Sequence, residues 1–382
     1  MPNIFDYLNW RGDLTFEKDG FNNVDALILS LLSYIDFDSI VSPDVDAGVT
    51  LKHAAHDFLE LGKADSELNM PQDRELLRAL ASSRRFRGIR LHAYINEVDF
   101  ETQKQFSAVT AELGNGESFY SFRGTDNTLV GWKEAFNLSF MTVPAQQQAV
   151  RYIREVSTVL PGSIRTGGHS KGGNLAIYAT AFGGEDIQER LLSIHNFDGP
   201  GFNSAVLRCQ EYLSIRDRLN TFIPQSSVVG MLLEHEDDYR IVSSNQVGFL
   251  QHDLYTWNIE TTDFTYLSDV TRSCRFLDGT LRYWIGQLDS EQRGQFIDAI
   301  YSVFLSTDVH TIREFTDNWL KNALIVVKSL KNLKQPTRSM VSHTLASLLS
   351  SVKQNIPKLI ERQNGDRAEE PEASRRRISD GK

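Results

Sequence analysis

The amino-acid sequence predicts an α/β protein: a mixed, mostly parallel sheet with a helical segment before it and a helical appendage after it. Three observations lead there. The apolar pattern changes from helical to strand-like near residue 85. From about residue 145 strands and helices alternate. And one strand runs into a helix through a turn almost free of side chains, Gly167-Gly168-His169-Ser170-Lys171-Gly172-Gly173.

The elements follow in order. Val24 to Ile35 has apolar residues on most faces, as in a buried helix, and Leu51 to Leu61 is a more amphipathic helix closed by Gly62. A third helix covers Asp73 to Ala81. Ile89 to Val98, Gln105 to Leu113 and Ser118 to Phe122 are rich in β-formers, with Gly114-Asn115-Gly116 as a turn, and read as an antiparallel meander. A helix from Ala145 to Leu160 leads to a short strand, Ser163 to Thr166, and the glycine turn. Beyond it come a helix from Asn174 to Ala181 and strands at Leu192 to Phe197 and Leu219 to Ile223. Phe296 to Phe304, Trp319 to Val327 and Arg338 to Val352 are spaced as amphipathic helices, and the charged tail has almost no apolar residues. The expected organisation is a helical segment over 1–85 packed on the core, a catalytic core over 86–289, a helical appendage over 290–362 and a disordered tail over 363–382.

Composition narrows the function. A net charge of −10 leaves no excess of Lys and Arg to neutralise phosphates, so nucleic acid is not an expected partner. No run approaches the ~18 apolar residues of a membrane span. The opening Met1-Pro2-Asn3-Ile4-Phe5-Asp6 lacks the pattern of an export signal, and two cysteines make no disulfide framework. Together these point to the cytoplasm.

The chemistry lies in Gly168-His169-Ser170-Lys171-Gly172, a G-x-S-x-G run between a strand and a helix. A nucleophile on such a turn is held in a strained conformation, and side chains two positions either side would clash with backbone. The helix that leaves presents its N-terminal N–H groups and partial positive charge to a developing oxyanion. This is the nucleophile elbow of an α/β-hydrolase, with Ser170 as nucleophile. A phosphate loop is excluded, because Lys171 is neither preceded by Gly nor followed by Ser or Thr. The oxyanion hole needs the N–H after the nucleophile, here Lys171, and a second donor after an earlier strand, where Thr125 follows Gly124.

Phe122-Arg123-Gly124-Thr125, Gly168-His169-Ser170-Lys171-Gly172-Gly173 and Phe197-Asp198-Gly199-Pro200-Gly201-Phe202 resemble, in the same order, three motifs of the class 3 lipases. More closely, the chain resembles the bacterial Mbeg-like family, in which an opening like Tyr7-Leu8-x-Trp10-Arg11-Gly12-Asp13-Leu14-Thr15-Phe16 precedes a hydrolase core. The lipase resemblance spans roughly 85–260 and implies the fold and the nucleophile.

Chain order puts the base after Ser170. His195 lies within a strand, His310 and His343 in the appendage, and His53 and His56 lack further metal ligands. His252 and His235 remain. The lipase resemblance favours His252, which Tyr255 and Trp257 follow. The acid departs from that resemblance, since Ser226 stands where class 3 lipases carry Asp. Asp198, at the end of the preceding strand, is the favoured replacement, with Asp237 and Asp238 as alternatives. The expected function is hydrolysis of a carboxylic ester, of a lipid or a smaller molecule, without cofactor or metal. The rival is a catalytically degenerate hydrolase fold kept as a binding or scaffolding module.

Overall fold

The computed structural model describes residues 1–271 apart from 65–67, 100–103, 126–133, 135–137, 139–141, 228 and 231–238. The expected appendage and tail, with His310 and His343, lie outside the described residues, as do His235, Asp237, Asp238 and Cys274.

Two capping boxes start the N-terminal segment. Asn3 and Asp6 begin α1 (Ile4–Arg11), and Asn22 and Asp25 begin α2 (Asn23–Leu31), each pair satisfying amides that have no partner inside the helix. The helix expected to reach Ile35 ends sooner, tightening into a 3-10 turn over Leu32–Tyr34. Strand β1 (Val49–Thr50), α3 (Leu51–Glu60) and α4 (Asp73–Ser82) follow.

The meander forms as β2 (Arg90–Asp99), β3 (Lys104–Glu112) and β4 (Glu117–Phe122). Then come α5 (Pro144–Val159), β5 (Ser163–His169), α6 (Lys171–Phe182), α7 (Glu185–Arg190), β6 (Leu191–Phe197), β7 (Leu219–Pro224) and β8 (Tyr239–Val242). Short strands β9 (Ile259–Glu260), β10 (Asp263–Phe264) and β11 (Tyr266–Leu267) close the described chain. Among the described residues β1–β8 and then β11 form one nine-stranded sheet in that order, and β9 and β10 pair apart from it. Strands β2 and β4–β8 run one way and β1, β3 and β11 the other, so the sheet is mixed and mostly parallel.

Alternation along the strands divides the core in two. Phe119, Phe197 and Phe222 face the N-terminal helices and Trp257, whereas Tyr120, Phe122, Ile164 and Ile194 face α5 and α6. The N-terminal segment is therefore one layer of an α/β/α sandwich, and α2, buried from Val24 to Leu31, is its centre. Gly167 makes room for that layer: a Cβ there would come within 2.6 Å of the Phe119 ring and 3.0 Å of Ser30 Oγ.

The opening motif serves the same layer. Arg85, fully buried, donates from Nε and Nη2 to both oxygens of Asp25, at 2.8 and 2.6 Å, and to the carbonyls of Asp19 and Gly20. Its guanidinium lies 4.1 Å from the Phe16 ring, and Tyr7 donates to Asp25 at 2.8 Å. Gly12 accepts from the Arg85 N–H and from Ser83 Oγ. Tyr7, Gly12 and Phe16 of that opening thus meet the buried Arg85–Asp25 pair, while Trp10 stays exposed.

Candidate active site

Ser170 stands between the end of β5 and the first residue of α6 with φ 56° and ψ −132°, a region L-residues rarely adopt. Its N–H donates to Phe197 O at 2.9 Å, and its carbonyl accepts from Gly173 N at 2.9 Å. Neighbouring glycines let the backbones crowd together. A Cβ at Gly172 would meet Phe122 O at 2.0 Å, and one at Gly199 would meet Ser170 O at 2.5 Å. α6 begins at Lys171, three residues earlier than expected, so the first-turn amides of the helix lie directly beside the serine.

Asp198 follows β6 with φ 52°, and its N–H donates to Phe222 O at 2.8 Å. That turn aims a fully buried carboxylate across the end of β7. Oδ2 accepts from His252 Nδ1 at 2.6 Å, while Oδ1 accepts from Ser227 Oγ and, at 3.1 Å, from Gly230 N. Ser226 holds the loop instead, its N–H donating to Gln251 Oε1 at 2.8 Å. Ser226 thus adjoins Ser227, which donates to the Asp198 carboxylate.

His252 ends a short 3-10 turn, Gly248–His252. Gln251 anchors it: its carbonyl accepts from Trp257 Nε1 and its side-chain amide donates to Gln246 O, both at 2.8 Å. The His252 side chain keeps 19% of its surface exposed while its acid keeps none, which leaves the ring reachable from solvent and the carboxylate sealed.

Two residues stand behind the nucleophile that sequence reasoning left aside. His169 is buried, and its Nε2–H donates to the main-chain oxygen of His252 at 2.8 Å. Tyr34 donates to the other ring nitrogen at 2.9 Å. Burial first, and then the neighbouring His252, hold the His169 imidazole well below its usual range, hence neutral. Their only sequence signal is the histidine of the G-x-S-x-G run itself.

At the end of β4, a Cβ at Gly124 would lie 3.0 Å from Ser170 Cβ, so the strand end before Thr125 touches Ser170. The Thr125 hydroxyl is buried without a hydrogen-bond partner among the described residues. Such a donor is costly unless something else satisfies it. The Lys171 side chain turns away into the core. Its Nζ donates to Glu134 Oε2 and Gln105 O, both at 2.7 Å, and to Gln105 Oε1 at 3.1 Å. Glu134, a third residue that sequence reasoning passed over, also accepts from Gln105 N and Ala145 N.

His195 packs among the rings of Phe21, Phe119, Phe197 and Phe222, and burial pushes its pKa down to about 3. His53 bonds Thr50 and His56 bonds Asp57 on an exposed helix face.

A mixed, mostly parallel sheet with a positive-φ serine between strand and helix, and with an aspartate and a histidine joined by a hydrogen bond after later strands, defines an α/β-hydrolase fold. A family model described as Mbeg1-like matches residues 80–302, and the chain belongs to that family. Among solved structures it is similar to a fungal lipase in complex with an inhibitor, at 12% identity over 44% of this chain and 68% of that one, with a TM-score of 0.32. It is also similar to a lipase from Rhizopus microsporus var. chinensis, at 14% identity over 53% and 72%, again with a TM-score of 0.32. No curated protein matches the chain. No helix among the described residues is long and apolar enough to cross a membrane.

Proposed function

We propose that the protein is a serine hydrolase of carboxylic esters. His252 takes the Ser170 proton as Oγ attacks the ester carbonyl, and Asp198 holds the imidazole in the required tautomer. The Lys171 N–H and Thr125 receive the negative charge of the tetrahedral intermediate. Collapse expels the alcohol, which takes the proton from His252. Water, activated by the same histidine, then releases the acid and frees Ser170. What supports this above all is the 2.6 Å hydrogen bond from His252 to a buried, twice-supported Asp198. A non-catalytic descendant would need neither that carboxylate nor a threonine hydroxyl buried without a hydrogen-bond partner among the described residues. The cysteine-poor, acidic composition suits a cytoplasmic enzyme, with a small-molecule or lipid ester as substrate.

A fluorophosphonate probe tests the reading. Wild type is expected to label, and Ser170→Ala not to. With a p-nitrophenyl ester, His252→Ala should be inactive and Asp198→Asn slower by on the order of 10³–10⁴-fold. A wild type that never labels returns the chain to the binding-module class. Full activity in His252→Ala would move the base elsewhere.

A further inference from the structure

We propose that Tyr34 and His169 form a positioning relay that ties the N-terminal layer to the base, so that the Tyr34 hydroxyl, through the His169 ring, fixes the backbone from which His252 projects. The inference rests on the hydrolase reading and adds two residues to it. Neither touches the reacting atoms; each acts through His252.

The geometry is a chain of two hydrogen bonds. Tyr34 lies at the end of the 3-10 turn that closes α2, and its hydroxyl reaches His169 Nδ1 at 2.9 Å. His169 Nε2 reaches His252 O at 2.8 Å. A carbonyl can only accept, so the proton of a neutral His169 sits on Nε2, and Nδ1 must accept from the tyrosine. Each bond thereby fixes the direction of the other. Both residues are buried, and the two imidazole rings lie 4.4 Å apart between centroids. Gly124 keeps the space open: a Cβ there would meet the Tyr34 oxygen at 2.3 Å. The hydroxyl thus sits between the oxyanion loop and the nucleophile turn.

A relay of this form has an electrostatic consequence. When His252 becomes imidazolium during attack, a second charged imidazole beside it would oppose the step. The titratable groups facing His169 are Tyr34 from the N-terminal layer and His252, with Asp198 behind His252. By donating to Nδ1, Tyr34 occupies the lone pair that would otherwise take up a proton. Without the hydroxyl nothing fixes which ring nitrogen carries the proton, so His169 can lose its hydrogen bond to His252 O.

The test uses the full chain as wild type, Tyr34→Phe, His169→Ala and His169→Gln. Fluorophosphonate labelling of Ser170 is followed, with melting temperatures alongside. Tyr34→Phe should label slower by on the order of tenfold to a hundredfold, the cost of a slightly misplaced catalytic group. Its melting temperature should change little. His169→Ala should lose more, and His169→Gln, which keeps a donor toward His252 O, should regain part of the rate. The downfield proton resonance of His252 Nδ1–H, identified by its absence in His252→Ala, should broaden in Tyr34→Phe. Wild-type labelling and resonance in Tyr34→Phe overturn the relay. If wild type itself does not label, the hydrolase reading fails and the resonance alone decides: unchanged in Tyr34→Phe it overturns the relay, broadened it supports it.

Discussion

Behind the nucleophile lies a side chain with a second occupation. Lys171 lends its backbone to the helix start beside Ser170, yet its ammonium group is wholly buried against Glu134 and Gln105. Removing one member of such a pair leaves the other charged, dry and unmatched, at a cost of about 3–5 kcal/mol. Lys171→Leu should therefore lower stability by roughly that amount in urea unfolding. Adding Glu134→Gln should recover only part, because Glu134 also accepts from the Gln105 and Ala145 amides and a glutamine supplies one acceptor oxygen where two are needed. A double variant as stable as wild type would show that the pair is dispensable. At this scale the sequence was legible where chemistry needs a local pattern. Ser170 announces itself through its glycines, whereas Tyr34 and His169 are 135 residues apart and Asp198 and His252 are 54 apart. No spacing rule covers such pairs, so Tyr34 and Ser227 left no signal, and Asp198 emerged only because an expected residue was missing from Ser226.

Among the elements, α4 and the segment after His252 are joined by a second bond from the N-terminal layer. Tyr255 donates to Asp73 Oδ1 at 3.0 Å, and Oδ2 accepts from Met70 N at 3.0 Å. Burial pushes the Asp73 pKa up to about 7, against an ordinary value near 4. The sign follows from proton counting. Between about pH 4 and 7 the folded chain holds a proton that the unfolded chain has released, so the residue's contribution to stability falls as pH rises through that window. Asp73→Asn can keep both partners, with Oδ1 accepting from Met70 N and Nδ2 donating to the Tyr255 oxygen. It should raise the melting temperature at pH 8 and change it little at pH 4. An equal gain at both values would refute the assignment. The long elements were readable from periodicity, including the meander, α5 and the β5–α6 turn. Strands β8 and β11, of four and two residues, were not, because so few positions carry no alternation that could be told from loop.

For the molecule as a whole, the N-terminal layer is part of the fold and not an addition to it. It covers Phe119, Phe197 and Phe222, buries the Asp25–Arg85 pair and reaches His169 through Tyr34. A chain lacking residues 1–85 should bind a hydrophobic dye and lose its cooperative melting transition, since half of the sheet's apolar surface would face water. A sharp transition in the truncated chain would show instead that the segment is an appendage. The same layer imposes an order on biosynthesis. Asn23 meets Asp263 across 240 positions, and the Ile259 N–H donates to the carbonyl of Pro2. At bacterial or eukaryotic rates of about 5–20 residues per second, α2 leaves the ribosome on the order of ten seconds or more before those partners exist. A helix with apolar residues on nearly every face must spend that interval uncovered. The newborn chain is therefore a natural client for a holding chaperone until the last strands arrive.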